Sequence, residues 1–165
     1  MAWTCALAAA LVEMVCAVGL RKEPQDAGAV AARRLRAAEL QASALALAER
    51  DIAAYRDVLA VGRRRGEAGH AQRLRDALGA AADPPIAIVE VAAEVTRLAA
   101  DAAGEARGGI RGEAITAAVL AEAVARAGVS IVELNLAGAP DDPRLGRVRA
   151  LAQAARTDLD RVVAG

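Results

Sequence analysis

Apolar residues recur along most of the chain at spacings of three and four, the pattern of helices that bury one face. Clusters of glycine and proline separate the periodic segments. The pattern predicts helices over residues 1 to 20, 27 to 62, 70 to 82, 88 to 103, 113 to 136, and from 143 onward. Six such segments in 165 residues predict an all-α protein, an antiparallel bundle of five or six helices in a single domain over residues 1–165.

The second predicted helix is unusually long and has a seven-residue repeat. Leu45, Ile52 and Leu59 lie seven residues apart, with Ala48 and Tyr55 between them. This repeat predicts a packing seam along one side of the helix.

The first twenty residues are nearly all apolar, so a signal peptide or a membrane span is an alternative to a helix within the bundle. Arg21 and Lys22 follow the apolar run, whereas a signal peptide has its positive charge before it, and Glu13 would be costly in lipid. We therefore expect a helix packed in the protein core. Its predicted buried face contains Leu7, Leu11, Met14, Val15 and Val18.

Two further segments contain local signals. The run from Ile86 to Val91 could form a strand by itself, but helical spacing continues through Val95 and Leu98, so a helix is favoured. Asp142 followed by Pro143 is typical of an N-cap and first residue, and this pair predicts the start of the last helix.

Charge and composition exclude several classes of protein. Lys+Arg and Asp+Glu are balanced at 21 each, so no net charge attracts nucleic acid or an anionic membrane. Trp3 and Tyr55 are the only aromatic residues, too few to stack nucleic-acid bases. Alanine is the commonest residue, and its small side chain favours closely packed helices.

The cysteines and the histidine predict neither a disulfide nor a metal site. Cys5 and Cys16 lie eleven residues apart on one helix, about 16 Å along its axis, and a disulfide needs Cα atoms within about 7 Å. Two reduced, buried thiols in a cytoplasmic protein are expected. His70 is the only histidine and lies in a predicted loop, so a zinc site of the usual kind is not expected.

Four stretches together resemble the cyclodeaminase/cyclohydrolase family, the C-terminal module of formiminotransferase-cyclodeaminase and its stand-alone bacterial relatives. They are ALAAALVEMV at 6–15, ERDIAAY at 49–55, LRDALGAAADPPIAIVEVA at 74–92, and RGEAITAAVLAEAV with SIVELNL at 111–124 and 130–136. They occur in the family's order. The resemblance implies an all-α dimer that closes 5-formiminotetrahydrofolate to 5,10-methenyltetrahydrofolate with loss of ammonia, or interconverts methenyl- and 10-formyltetrahydrofolate with water.

The resemblance implies an acid/base role for Asp51, which matches the family's aspartate in the second helix. In cyclodeamination N10 attacks the formimino carbon on N5 and ammonia leaves, so one group must take up a proton and return it, without a metal or redox cofactor. Tyr55, one turn farther on, could shape the pocket beside Asp51. From the residues alone, without the resemblance, Asp51 is expected to be a solvated helix charge.

Three further residues are candidates for substrate binding. Arg63 aligns with a basic residue of the family and could pair with the glutamate carboxylates of a folate, or lie in a solvated loop. Asn135 matches the second asparagine of the family's N-x-x-x-N-L and could contact the pterin ring or join two helices. Glu113 stands where the family has the aspartate of a serine-aspartate pair. No ligand beyond the folate derivative is implied.

Several positions depart from the family pattern. Gly112, Arg107 and Ile131 stand where the family has polar residues, and the family's glycine-rich stretch before the first helix is missing from this sequence. Three alternatives remain: an active folate enzyme whose true start lies upstream of Met1, a degenerate copy that keeps the bundle and acts through a partner, and an unrelated alanine-rich bundle.

Overall fold

The computed structural model describes residues 1–22 and 24–164, and six helices account for most of them. The helices are α1 (Ala2–Leu20), α2 (Ala27–Gly62), α3 (His70–Ala81), α4 (Asp83–Glu105), α5 (Gly109–Asn135) and α6 (Pro143–Val163). The described residues contain no strand, and the segment from Ile86 to Val91 lies within α4. The prediction of an all-α bundle is confirmed.

Side-chain caps and glycines define several helix ends. Asp26 caps α2 by accepting from the backbone N–H of Ala29 at 2.9 Å, and Asp142 caps α6 in the same way through Arg144 N–H. Pro143 occupies the first turn of α6, as predicted. The glycine-rich connection before α5 is shorter than predicted and spans residues 106 to 108, with Gly108 at a positive φ of 65°. His70 begins α3 rather than lying in a loop.

Ion pairs and close contacts define the directions of the helices. Glu13 of α1 pairs with Arg34 of α2, and Glu133 of α5 pairs with Arg149 of α6, so each of these two pairs of helices is antiparallel. Helices α4 and α6 run parallel, because Arg144 bonds Asp83 at one end and Arg161 bonds Asp101 at the other. The bundle core lies between α1, α4, α5 and α6, with the first half of α2 packed beside α1.

The buried face of α1 is not the one predicted. Leu7 and Met14 are exposed, and Leu11 and Val18 are half-buried; of the predicted face only Val15 is buried. The buried residues are instead mostly small: Ala2, Cys5, Ala6, Ala8, Ala9, Val12, Val15 and Cys16. Small side chains let α2 and α5 approach α1 closely, so the larger side chains are left outside.

The packing seam predicted along α2 is also not buried within a single chain. Ala48 is buried, but Leu45, Ile52, Tyr55 and Leu59 are exposed. At 36 residues α2 is about 54 Å long, whereas α1 has 19 residues and spans about 28 Å. The second half of α2 therefore extends beyond the bundle, and no residue from 49 to 62 is buried.

The most extensive helix contact lies between α4 and α5. Gly128 packs directly against Val89 and also faces the backbone carbonyl of Pro85. Ile88 and Val95 of α4 are buried as predicted, and the hydroxyl of the buried Thr96 donates to the Ala92 carbonyl at 2.9 Å. The hydroxyl of Thr96 is therefore satisfied within its own helix.

Helices α1 and α5 are each long and apolar enough to cross a membrane by length and composition alone. Both also contribute a buried face to the bundle, and the core helices of soluble proteins share this property. The first helix is packed in the core of this protein, as expected from its sequence.

One ion pair closes the end of the bundle where α1 and α4 finish. Arg33 donates to both oxygens of Glu105 at 2.7 and 2.8 Å, and the Arg33 side chain is only 11% exposed. The guanidinium holds the pKa of Glu105 below its ordinary value of 4.5. Cys5 and Cys16 are free and buried, and burial raises the pKa of the Cys5 thiol to about 12.

Glu105→Gln is expected to flatten the pH dependence of stability in acid. A carboxylate whose pKa is lowered on folding stabilises the protein above its unfolded pKa, and that contribution is lost as the pH falls below 4.5 through the folded value. Urea unfolding from about pH 6 to about pH 3 measures it. Glu49→Gln, an exposed change on α2 outside any ion pair of the described residues, is the control. Identical pH profiles for Glu105→Gln and the unaltered chain would contradict the prediction.

Candidate functional site

Asp51 and Tyr55 lie on the part of α2 that extends beyond the bundle. Asp51 is half-buried, and its side chain forms no hydrogen bond or ion pair with any residue in 1–22 or 24–164. Tyr55 follows one helical turn later and is 62% exposed. The Asp51 carboxylate is therefore sheltered on one side by its own hairpin and is not neutralised by an arginine.

The α2–α3 hairpin, residues 49 to 81, provides that shelter. Half-buried positions recur along its first helix at Asp51, Ala54, Val58 and Val61, at helical spacing, and α3 is the helix that packs on this part of α2. Ile52, Tyr55 and Leu59 form a separate exposed strip. The half-buried positions and the exposed strip therefore occupy different sides of this part of α2.

Arg63 is the C-cap of α2, at the tip of the hairpin. It lies twelve residues from Asp51, which is about 18 Å along a helix axis. Arg63, Arg64 and Arg65 are exposed and form no ion pair among the described residues. If the reacting centre of an elongated anionic ligand lay beside Asp51, these guanidinium groups would be too far away to contact it. They could instead bind anionic groups at the far end of the ligand.

Asn135 ends α5 and joins two parts of the fold. Its Nδ2 donates to the backbone carbonyl of Ala81, the last residue of α3, at 2.9 Å. Of the two interpretations drawn from the sequence, the structure contains the bond between helices. This bond anchors the hairpin to the end of the bundle from which it extends.

Glu113 lies at the opposite end of α5. The 22 residues between Glu113 and Asn135 correspond to about 33 Å along the helix. Glu113 is exposed and forms no ion pair with the described residues. A single subunit therefore does not bring Glu113 together with Asn135 or with the hairpin.

Three cavities in the described part of the chain do not include Asp51, Tyr55, Arg63, Glu113 or Asn135. One cavity of about 200 Å³ lies where α1 ends and α2 begins, lined by apolar residues together with Cys16, Arg33 and Arg107. Burial raises the pKa of Cys16 there, which keeps it a neutral thiol. Within residues 1–22 and 24–164 no three histidine, cysteine, aspartate or glutamate side chains are grouped to hold a metal ion.

A second cavity was not anticipated from the sequence. It is a groove of about 420 Å³ between α5 and α6, and Glu122 lies at its base. In the sequence, Glu122 is a charged residue on the same turn of α5 as Ala121 and Val124, both of which are buried. A carboxylate on a core face is uncommon and needs a compensating partner.

Comparison with known families narrows the three alternatives left open by the sequence. The family described as formiminotransferase-cyclodeaminase matches residues 1–154. The chain belongs to this family. A search among curated proteins by sequence finds no match.

The crystal structure of formiminotetrahydrofolate cyclodeaminase from Thermotoga maritima has a similar fold. The TM-score is 0.68 at 20% sequence identity, and the match covers 99% of this chain and 85% of that chain. The formiminotransferase-cyclodeaminase fold is therefore present over essentially the whole chain, and an unrelated alanine-rich bundle is excluded. The resemblance based on the four sequence stretches is confirmed.

Proposed function

We propose that this member of the formiminotransferase-cyclodeaminase family is a folate one-carbon enzyme, a formiminotetrahydrofolate cyclodeaminase or a methenyltetrahydrofolate cyclohydrolase. The family match over residues 1–154 is the observation that carries the proposal. The buried thiols and the helix-bundle core are compatible with action in the cytoplasm, with a folate derivative as ligand and neither nucleic acid nor membrane as partner.

In the proposed reaction Asp51 moves the proton. N10 attacks the formimino carbon on N5, Asp51 takes the N10 proton, and the tetrahedral adduct expels ammonia after the amine is protonated. Cyclohydrolase action uses the same ring geometry, with water as the reacting partner. The half-buried position of Asp51 and its lack of an arginine partner among the described residues support this role, because an ion-paired carboxylate would be a weaker base. Atoms and charge balance without a metal or redox cofactor.

Four residues are proposed to bind the substrate, each on its own grounds: Tyr55, Arg63, Asn135 and Glu113. Tyr55 and Arg63 share the α2–α3 hairpin with Asp51, and Asn135 anchors that hairpin. Glu113 is about 33 Å from Asn135 along α5, so it can join Asp51 only if a second copy of the chain supplies it.

A homodimer built on the α2–α3 hairpin accounts for the exposed apolar strip. Ile52, Tyr55 and Leu59 lie on a helix half with no core of its own, and the family resemblance implies a dimer. A second copy over this strip would bury it and supply the missing wall beside Asp51.

Leu59→Glu is expected to weaken this dimer by about tenfold or more, because a carboxylate would be buried without a partner. Sedimentation velocity over a range of concentrations measures the association. Leu35→Glu, also an exposed apolar position but on the first half of α2, is the control and should leave the association unchanged. A strictly monomeric unaltered chain, or equal effects of the two substitutions, would rule out this interface.

A degenerate, non-catalytic family member is the second candidate, favoured by the departures from the family pattern at Arg107, Gly112 and Ile131. The deciding experiment incubates the purified chain with 5-formiminotetrahydrofolate and, separately, with 5,10-methenyltetrahydrofolate. Ammonia release above the buffer rate supports a cyclodeaminase, and ring opening alone supports a cyclohydrolase. Buffer rates in both assays, with an intact dimer, support the degenerate protein.

A further inference from the structure

None of the residues proposed for the folate reaction lines the groove between α5 and α6. Its polar lining comes from one acidic side chain, three arginines and two neutral groups. They are Glu122, Arg126, Ser130, Arg149, Gln153 and Arg156. Helices α5 and α6 are antiparallel, so Arg156 lies near Glu122 at one end of the groove and Arg149 lies near Ser130 at the other.

Glu122 is the one charged residue of the described chain that is buried, with its side chain 5% exposed. Its only partner within residues 1–22 and 24–164 is Arg126, at 3.3 and 3.5 Å, and the Arg126 side chain is 73% exposed. A carboxylate can accept about four hydrogen bonds, and these two contacts are long. Because burying an incompletely bonded carboxylate is costly, Glu122 has unused capacity for an N–H donor that enters the groove.

Arg149 and Arg156 provide positive charge along the other wall. They are seven residues apart on α6, two turns or about 10 Å along the axis, and therefore share one face. Each now pairs with an exposed carboxylate outside the groove: Arg149 with Glu133 at 2.7 Å and Arg156 with Asp160 at 3.0 Å. Surface pairs of this kind are worth little, so a ligand carboxylate can replace either partner.

We propose that this groove binds an α-amino dicarboxylate. The α-ammonium group would donate to Glu122, the adjacent α-carboxylate would pair with Arg156, and the distal carboxylate would pair with Arg149. The three arginines and Glu122 give the groove two excess positive charges, which complements the single net negative charge of such a ligand. The site does not depend on the folate reaction and stands if that proposal fails.

Isothermal titration of the full chain with four probes tests the site. L-Glutamate and L-2-aminoadipate have both groups, whereas glutarate and adipate lack the amine. We expect the amino compounds to bind about tenfold or more tightly than the matching amine-free acids, because a charged hydrogen bond to Glu122 is lost in the latter. Arg149→Gln should weaken binding by about tenfold or more, and Arg147→Gln, an arginine of α6 outside the groove, should not.

Glu122→Gln separates recognition of the amine from general attraction of anions. It should abolish the preference for the amino compounds while Arg149 continues to bind the distal carboxylate. If this substitution impairs folding, the comparison of amino and amine-free acids on the unaltered chain still tests whether the amine is recognised. No binding of any probe, equal binding of amino and amine-free acids, or equal losses in Arg147→Gln and Arg149→Gln would each overturn the proposal.

Discussion

Asp51→Asn is expected to lower kcat for methenyltetrahydrofolate formation or hydrolysis by about 10²- to 10⁴-fold, the usual contribution of a general acid or base. Asparagine keeps the size of the side chain but cannot take up the N10 proton. Because Asp51 forms no ion pair within the described chain and is only half-buried, the substitution should leave the folded structure intact. The largest change should therefore be in kcat rather than in the melting temperature.

Asp57→Asn is the matched control, an exposed aspartate on the same half of α2 without an ion pair among the described residues. Steady-state rates of the three proteins, with circular dichroism melts of each, complete the test. Equal kcat for Asp51→Asn and the unaltered chain would remove Asp51 from the proposed mechanism. If Asp57→Asn lost as much activity, the effect would belong to the charge of the hairpin rather than to one carboxylate.

Gly128→Ala is expected to destabilise the fold by about 2 kcal/mol, although alanine is the better helix former. The added Cβ would collide with the Val89 side chain of α4. Valine in a helix has essentially one side-chain rotamer, so Val89 cannot turn away and the two helices must separate. For a chain of this size the melting temperature should fall by about 4 to 8 °C.

Two further variants test whether the collision with Val89 causes the loss of stability. Gly112→Ala lies on the same helix with open space around its Cβ, so it should raise the melting temperature slightly. Adding Val89→Ala to Gly128→Ala removes the colliding methyl groups, and the double variant should be more stable than the sum of the single effects. An unchanged or raised melting temperature for Gly128→Ala would show that α4 and α5 can separate at no cost.

The positions of the helices could be predicted from their caps and from the spacing of apolar residues. The face that each helix buries could be predicted for some helices only. Asp142 and Pro143 marked the start of α6, and the regular spacing of Ile88 and Val95 identified α4 and its buried face. On α1 nearly every position is apolar, so periodicity could not show that the face of Cys5 is buried and that of Leu7 exposed. The distance between packed helices, which small residues shorten, determined which face of α1 is buried.

The same limit applies to the candidate site. The family resemblance placed Asp51 on the second helix, but the burial of the folded chain was needed to show that this part of α2 lies outside the bundle, because no residue from 49 to 62 is buried. The distance between Glu113 and Asn135 could be calculated from the sequence, because both residues lie on one predicted helix. Glu122 could have been recognised as a charged residue among buried ones.

The hairpin that extends from the bundle separates the demands of folding from those of the proposed reaction. Asp51, Tyr55 and Arg63 lie in a segment where no residue from 49 to 63 is buried, so substitutions there cost little folding free energy. The folded state should therefore tolerate substitutions well along this half of α2 and poorly around Gly128. New specificities can arise on the hairpin by sequence drift while the alanine-rich core remains unchanged.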